Sequence, residues 1–328
     1  MKKILVLIII LFQSLILAAC NNTDGPHDIY VTVYPLKYVA EEILTGTEYT
    51  VGIVPGVTSH NESADWSPKE IIWMKDAKYL FYVGANYDYY IDKEIDSIFK
   101  NADVELVKIE NETEYITLIP GIVHEHNHDE TDSHDIDDHD HETTLGIDPH
   151  FWISPLKVLE ISELVYDKLL NAYPEHEELI NTNYTNLVKD LTTLNEEFHS
   201  AIANLTKPVM TSTNLYGYLE HDYGLNYLPI SPGYHEESDQ FTTQQKDEIV
   251  AEALYHDINH IIYEMYTNSP LSNAVFSELE SKGLEPVKME FHILQMITND
   301  DEKNGKNYLT IMRENLELLK TAGAFEEE

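Results

Sequence analysis

The sequence predicts an α/β protein of two Rossmann-like α/β lobes joined by a long rigid helix, and three observations lead there. β-rich apolar runs alternate with helical patterns of about 10 to 14 residues in the first third of the chain, and the alternation restarts at Pro208. Between the two alternating stretches lies one amphipathic pattern of about 30 residues, too long and too regular for a loop. With 328 residues, 43% of them hydrophobic, the chain is long and apolar enough for two packed lobes.

The first lobe is expected over residues 27–172. Its strands are Ile29 to Tyr34, Glu48 to Val54, Tyr79 to Val83 and Val104 to Ile109. Its helices are Pro35 to Leu44, closed by Gly46, then Ser67-Pro68 to about Asp76, then Tyr87 to Phe99. Two helical patterns follow, Pro155 to Ala172 and, past Pro174, a linker helix over residues 174–205 with apolar positions at Leu179, Ile180, Leu187, Leu191, Leu194, Phe198 and Ile202. At 1.5 Å per residue the linker would span roughly 45 Å and act as a strut. The second lobe, residues 206–328, alternates strand Val209 to Ser212, helix Tyr216 to Asp222, strand Asn226 to Ile230, helix Thr243 to Tyr255, strand His260 to Tyr263, helix Leu271 to Lys282, strand Pro286 to Glu290 and a last helix ending near Leu319.

Charge narrows the function. With 20 Lys+Arg against 59 Asp+Glu, the formal net charge is −39, which repels phosphate backbones and excludes nucleic acid as a partner. The same field concentrates cations, and 16 histidines beside so many carboxylates supply divalent-metal donors. Cys20 is the one cysteine, so neither an intrachain disulfide nor a cysteine zinc cluster can form. Lys2 and Lys3 precede an apolar stretch from Ile4 to Leu17, and Leu17-Ala18-Ala19-Cys20 resembles a bacterial lipobox. Residues 1–19 read as a signal peptide, with Cys20 lipidated and the mature chain tethered to the outer face of the cell membrane by that anchor only.

Two groups of histidines stand out. His124, His126, His128, His134, His139 and His141 fall among Asp and Glu within residues 121–144, without apolar periodicity, which reads as a solvated loop binding metal transiently at several sites. Ordering such a loop around an ion costs entropy, so tight capture does not follow from it. The second group comes from the rule that ligands in open α/β sheets sit beyond the carboxyl ends of the strands. His60, His150, His235 and His292 each follow a predicted strand, two in each lobe, and would face one interlobe cleft. Four imidazoles, or three with a carboxylate or water, suit tetrahedral zinc. A lone loop histidine is more often a surface residue than a ligand, and His27, His176, His199, His221, His256 and His260 are read as structural or exposed. His260 and Glu264 are spaced i, i+4 but fall in and just after a strand, where they make poor helical partners. The chain has no His-Glu-x-x-His, Gly-x-Ser-x-Gly, Gly-x-x-x-x-Gly-Lys or Gly-x-Gly-x-x-Gly motif, so no enzyme is expected.

Pro55-Gly56-x-x-x-His60 and Asp148-Pro149-His150-Phe151-Trp152-Ile153-Ser154-Pro155, preceded by a histidine-rich acidic insertion, resemble the motifs of the metal-binding lipoproteins of bacterial zinc and manganese ABC importers, the ZnuA and AdcA type of cluster A-I solute-binding proteins. The resemblance spans nearly the whole mature chain and implies two lobes with the ion held between them. It also shows a departure: where most members carry a third histidine ligand, this chain has Thr213, in Thr213-Asn214-Leu215-Tyr216-Gly217-Tyr218. His235 is the expected replacement, with Asn214, Glu236 and water as competing donors. The fourth ligand varies in the family, and His292 resembles its histidine form, with Glu290 as the fallback; Glu62 stands near the first motif. The implied function is an extracytoplasmic receptor that captures Zn²⁺ and delivers it to a permease driven by a separate ATPase, the receptor itself acting as a monomer. A histidine-rich shell favours zinc over manganese. The alternatives are a Mn²⁺ receptor, or a metal-buffering or adhesive surface lipoprotein that uses only the loop; a zinc hydrolase with a water-filled position at Thr213 ranks below both.

Overall fold

The structure, a computed structural model, describes residues 25–57, 64–123, 144–236 and 242–326. The first lobe is a parallel four-stranded sheet in the order β2-β1-β3-β4, built from β1 (Ile29–Val31), β2 (Val51–Ile53), β3 (Tyr79–Tyr82) and β4 (Glu105–Lys108). β1 and β3 are buried on both faces, which is why their sequences are unbroken apolar runs rather than alternating ones. Helix α1 (Tyr34–Leu44) starts with Pro35 in its first turn, where a missing N–H costs nothing. Helix α2 (Pro68–Asp76) starts on a capping box in which the Ser67 hydroxyl accepts from Glu70 N–H and the Glu70 carboxylate accepts from Ser67 N–H.

The single helix expected from Tyr87 to Phe99 divides into a short α3 (Tyr89–Asp92) and a widened π turn over Ile95–Phe99, closed by Phe99 N–H on Glu94 C=O. The turn before it explains the break. Gly84, Ala85 and Asn86 all take left-handed backbone angles, and buried Asp88 spends its carboxylate on the Val83 and Gly84 N–H groups and the Thr32 and Tyr90 hydroxyls instead of capping a helix. Burial dominates those bonds and pushes the Asp88 carboxyl up to about 7.

The second lobe repeats the plan with strand order β10-β9-β7-β8, from β7 (Val209–Thr211), β8 (Tyr227–Pro229), β9 (His260–Glu264) and β10 (Val287–Phe291), all parallel. Its helices are α6 (Gly217–Tyr223), α7 (Thr243–Tyr255), α8 (Pro270–Ser281), α9 (Asn299–Lys303) and α10 (Tyr308–Ala322). Gly224, at φ +76°, ends α6 by taking the left-handed position that a side chain would disfavour. The last predicted helix is really two, because Thr298 with Asp301 and Asn307 with Thr310 form separate capping boxes.

Helix α4 (Pro155–Ala172) and the 27-residue α5 (Glu177–Ala203) lie between the sheets, with a 3₁₀ turn over Pro174–His176 between them. The α5 stripe Ile180, Leu187, Leu191, Leu194, Phe198, Ala201 and Ile202 is buried as its spacing predicts. Asn183 on α5 donates to the Ile43 and Thr45 carbonyls of the first lobe, and Glu197 pairs with Arg313 of the second at 2.8 Å. One hydrophobic core runs from Val31 and Phe81 through Leu164, Leu191 and Phe198 to Ile262, Phe291 and Met312. Among the described residues, no helix is long and apolar enough to cross a membrane.

An antiparallel hairpin that the sequence did not suggest, β5 (Pro120–Val123) with β6 (Thr144–Ile147), brackets the histidine-rich segment. His124, His126, His128, His134, His139 and His141 lie outside the described residues, as do Cys20, His60 and Glu62.

Candidate metal centre

His150 lies three residues past β6 and is only 5% exposed. One oxygen of Asp148 accepts the His150 backbone N–H at 2.9 Å and meets the ring Nδ1 at 2.9 Å. A carboxylate on Nδ1 fixes the proton there and leaves the Nε2 lone pair for a cation. Asp148 is itself pinned: its N–H donates to Ile119 C=O and its C=O accepts from the Tyr218 hydroxyl at 2.8 Å. Gly121 lets the hairpin come this close, since a Cβ there would stand 2.7 Å from Asp148 Cα. The rings of Tyr234, Trp152 and Tyr87 surround the imidazole at centroid distances of 4.7, 5.4 and 6.0 Å.

The segment that carries His150 is bonded to the second lobe along its length. Trp152 Nε1–H donates to Ile293 C=O, and the Tyr308 hydroxyl donates to Trp152 C=O, each at 2.9 Å. The Ser154 hydroxyl donates to Asp222, Leu156 N–H donates to the Tyr223 hydroxyl, and buried Lys157 faces Asp222 at 3.7 Å. Pro155 and the Ser154 cap start α4 immediately afterwards, so the imidazole stands on a short link between a hairpin and a helix.

Across from it, Glu264 closes β9 at its carboxyl end and is 3% exposed. Thr213, two residues beyond β7, donates its hydroxyl to Glu264 Oε1. Desolvation pushes the Glu264 carboxyl up to about 7, the Thr213 bond and the nearby His150 imidazole pull it down, and Glu236 pushes it up. Tyr216 is fully buried, senses the Glu264 charge, and has a hydroxyl with no hydrogen-bond partner among the described residues. A cavity of about 520 Å³ opens beside Asp148 and Tyr234, with Asn214, Glu220, His221 and Tyr227 on its wall.

The expected set His60, His150, His235 and His292 is therefore only partly assembled. Among the described residues no three His, Cys, Asp or Glu side chains converge as a metal site, and His60 lies outside them. His235 is exposed, while its neighbour Tyr234 turns inward onto His150. His292 is buried but differently wired: its Nδ1 accepts Leu294 N–H at 3.0 Å, so the neutral ring carries its proton on Nε2, which points toward Asp301 at 4.0 Å. In that tautomer Nε2 carries a proton rather than a lone pair, and this nitrogen is buried with no hydrogen-bond partner among the described residues.

The other donors are also engaged. Asn214 Oδ1 accepts from the Tyr227 hydroxyl. Glu236 caps α8 by accepting from Leu271 N–H, Ser272 N–H and the Ser272 hydroxyl, and Glu290 pairs with Lys288 on an exposed strand face. Glu264 entered the sequence reading only as a poor helical partner of His260, not as a candidate donor in the cleft. The available signal was a lone carboxylate ending the buried run Ile261-Ile262-Tyr263, where the carboxyl-end rule applies as it does to histidines.

Residues 29–322 match the family described as zinc-uptake complex component A, periplasmic, ZnuA. The zinc-binding lipoprotein AdcA of Streptococcus pneumoniae (strain ATCC BAA-255 / R6) is 27% identical over 327 residues, which cover 98% of this chain and 61% of that protein. The chain thus spans about three fifths of the length of that relative. The high-affinity zinc uptake system protein ZnuA of Bacillus subtilis (strain 168) is 24% identical over 331 residues, 97% of each chain. In fold, the Zn(II)-bound ZnuA-like domain of Streptococcus pneumoniae AdcA superposes with a TM-score of 0.68 at 22% identity, covering 91% of this chain and 99% of that one. The periplasmic zinc binding protein TroA of Treponema pallidum gives 0.65 at 15% identity, with the same coverage.

Proposed function

Because the chain belongs to the family of periplasmic zinc-uptake component A proteins, we propose that it captures Zn²⁺ outside the cytoplasm and delivers it to an ABC-type importer. The observation that carries this reading is the Asp148–His150 pair, a buried imidazole held in its metal-binding tautomer between two α/β lobes. Zn²⁺ is cargo here, bound and released unchanged, and the chain is a transport component rather than an enzyme. In this reading His60, of the motif Pro55-Gly56-x-x-x-His60, supplies a second imidazole, and the net charge of −39 draws cations toward the protein.

Cys20 is the lipid anchor that keeps the receptor, a monomer, at the outer face of the membrane. The partner is a permease driven by a separate ATPase. The histidine-rich segment holds zinc weakly beside the tight site.

Calorimetric titration of zinc into the chain, repeated with excess manganese, tests the reading. It expects one tight equivalent that survives manganese and is lost in His150→Ala and in His60→Ala. Tight binding that is unchanged in both variants would assign capture to the histidine-rich segment and replace transport by metal buffering.

A further inference from the structure

We propose that Glu264 is a metal ligand of the interlobe cleft, facing His150, and that Thr213 is the positioning residue that aims its carboxylate. The inference rests on the capture reading and adds an oxygen donor that the histidine pattern did not contain.

Four observations support it. Glu264 stands at the carboxyl end of β9, the edge from which open α/β sheets present ligand-binding groups. At 3% exposure it is nearly cut off from water, and among the described residues its side-chain hydrogen bond comes from a neutral hydroxyl, Thr213. A carboxylate so placed costs free energy unless a cation joins it, and the side chains acting on it are the nearby His150 imidazole and the unfavourable Glu236. The Tyr216 hydroxyl, fully buried near the same carboxylate, has no partner among the described residues, as expected of a pocket arranged for something further.

The position of Thr213 also becomes intelligible. In the family pattern a histidine there would donate nitrogen to the ion directly. Threonine is too poor a ligand for that, but its hydroxyl donates to Oε1 and leaves Oε2 for the metal. The donor set would then join the His150 nitrogen with a carboxylate oxygen, harder than a set of imidazoles alone and so more tolerant of Mn²⁺.

The test uses the full chain and two readouts, calorimetric zinc affinity and the melting temperature without metal. The cleft site is the tight equivalent that His150→Ala removes. Glu264→Gln, which keeps size and can still accept from Thr213, should weaken that equivalent beyond the roughly 10- to 100-fold typical of an outer partner, while the metal-free melting temperature stays level or rises. Thr213→Val should cost about tenfold in affinity and Thr213→Ser should restore it, which a purely packing role for Thr213 would not produce. Affinity within threefold of the parent in Glu264→Gln, with His150→Ala still abolishing the tight equivalent, would overturn the inference and leave capture intact. A Glu264→Gln variant that loses affinity and melting temperature together would also overturn it, making the carboxylate structural. If His150→Ala retains the tight equivalent, the capture reading fails and the ligand assignment fails with it.

Discussion

Two buried histidines, each in a loop at the edge of its lobe, are wired in opposite ways. His150 meets the Asp148 carboxylate through Nδ1 and keeps Nε2 open, whereas His292 accepts a backbone N–H at Nδ1 and holds its proton on Nε2. Both are 5% exposed, so burial does not tell them apart. The partner of the second ring nitrogen does, because it selects the tautomer, and the tautomer decides whether a lone pair faces a cation or a proton faces a carboxylate. His292 serves the architecture: Asn315 brackets its backbone on both sides, at 3.0 Å to its N–H and 2.8 Å to its C=O, and the chain then turns through Leu294 at φ +59°. Gln295 C=O next receives the Tyr34 N–H of the first lobe at 2.9 Å, so this strap joins the lobes.

The largest expected effect breaks the comparison outright. His150→Ala should cost at least about a thousandfold in zinc affinity, while His292→Ala should change it less than about threefold and lower stability by roughly 1 to 3 kcal/mol through the lost buried bond and packing. Calorimetry and urea unfolding on the two variants check this. Equal zinc losses would mean that the His292 ring turns over and ligates after all.

Next in size is the carboxylate that fixes the tautomer. Asp148→Asn keeps an acceptor for the His150 N–H groups but removes the charge, and zinc affinity should fall about 10- to 100-fold with little change in fold. An unchanged affinity would place the control of His150 in the surrounding rings of Tyr234, Trp152 and Tyr87 instead.

Most of the fold was legible in the sequence because parallel strands buried on both faces leave unbroken apolar runs and their helices begin on strong caps such as Ser67-x-x-Glu70 and Thr242-x-x-Gln245. The β5–β6 hairpin was not legible, since its four-residue strands flank a polar insertion and pair only with each other. Of the candidate site, His150 was legible as part of the Asp148-Pro149-His150 motif, but that Asp148 holds its ring is visible only in the fold. Glu264 was not legible, because its meaning depends on Thr213, 51 positions away in the chain and brought close only by the pairing of β7 with β9. For His235 and His292, spacing from a strand end gives a residue's neighbourhood but not the side of the loop it faces or the bonds its ring has already made.

A smaller effect sharpens the contrast between the rings through pH. Burial lowers the pKa of His292, with Asp301 and Glu314 raising it and Lys306 lowering it further. Its folded-state value therefore lies below the unfolded value near 6.5, and the unfolded chain takes up the proton first as pH falls. His292 thus withdraws stability below about pH 6.5, down through its lowered folded value, and contributes no such dependence above that window. His292→Gln should flatten that part of the curve in urea unfolding of the metal-free protein between pH 7.5 and 5. A variant curve that stays parallel to the parent would assign the acid loss to other groups.

The smallest expected effect concerns what else ties the strap to the first lobe. Lys37 on α1 reaches Glu302 on α9 at 3.2 Å and also Glu41, one turn along its own helix, at 3.2 Å. The Glu302 side chain is 47% exposed, so water and salt screen the pair, and a second carboxylate already holds the ammonium group. Glu302→Gln should therefore cost less than about 1 kcal/mol, and the cost should vanish at high ionic strength. The buried bonds from Trp152 to Ile293 and from Tyr34 to Gln295 would then carry the connection, neither of them sensitive to salt. A double-mutant cycle of Lys37→Met with Glu302→Gln in low and high salt measures the difference. A coupling above about 2 kcal/mol that persists in salt would mean that the lobes are locked electrostatically from outside rather than through the backbone bonds flanking His292.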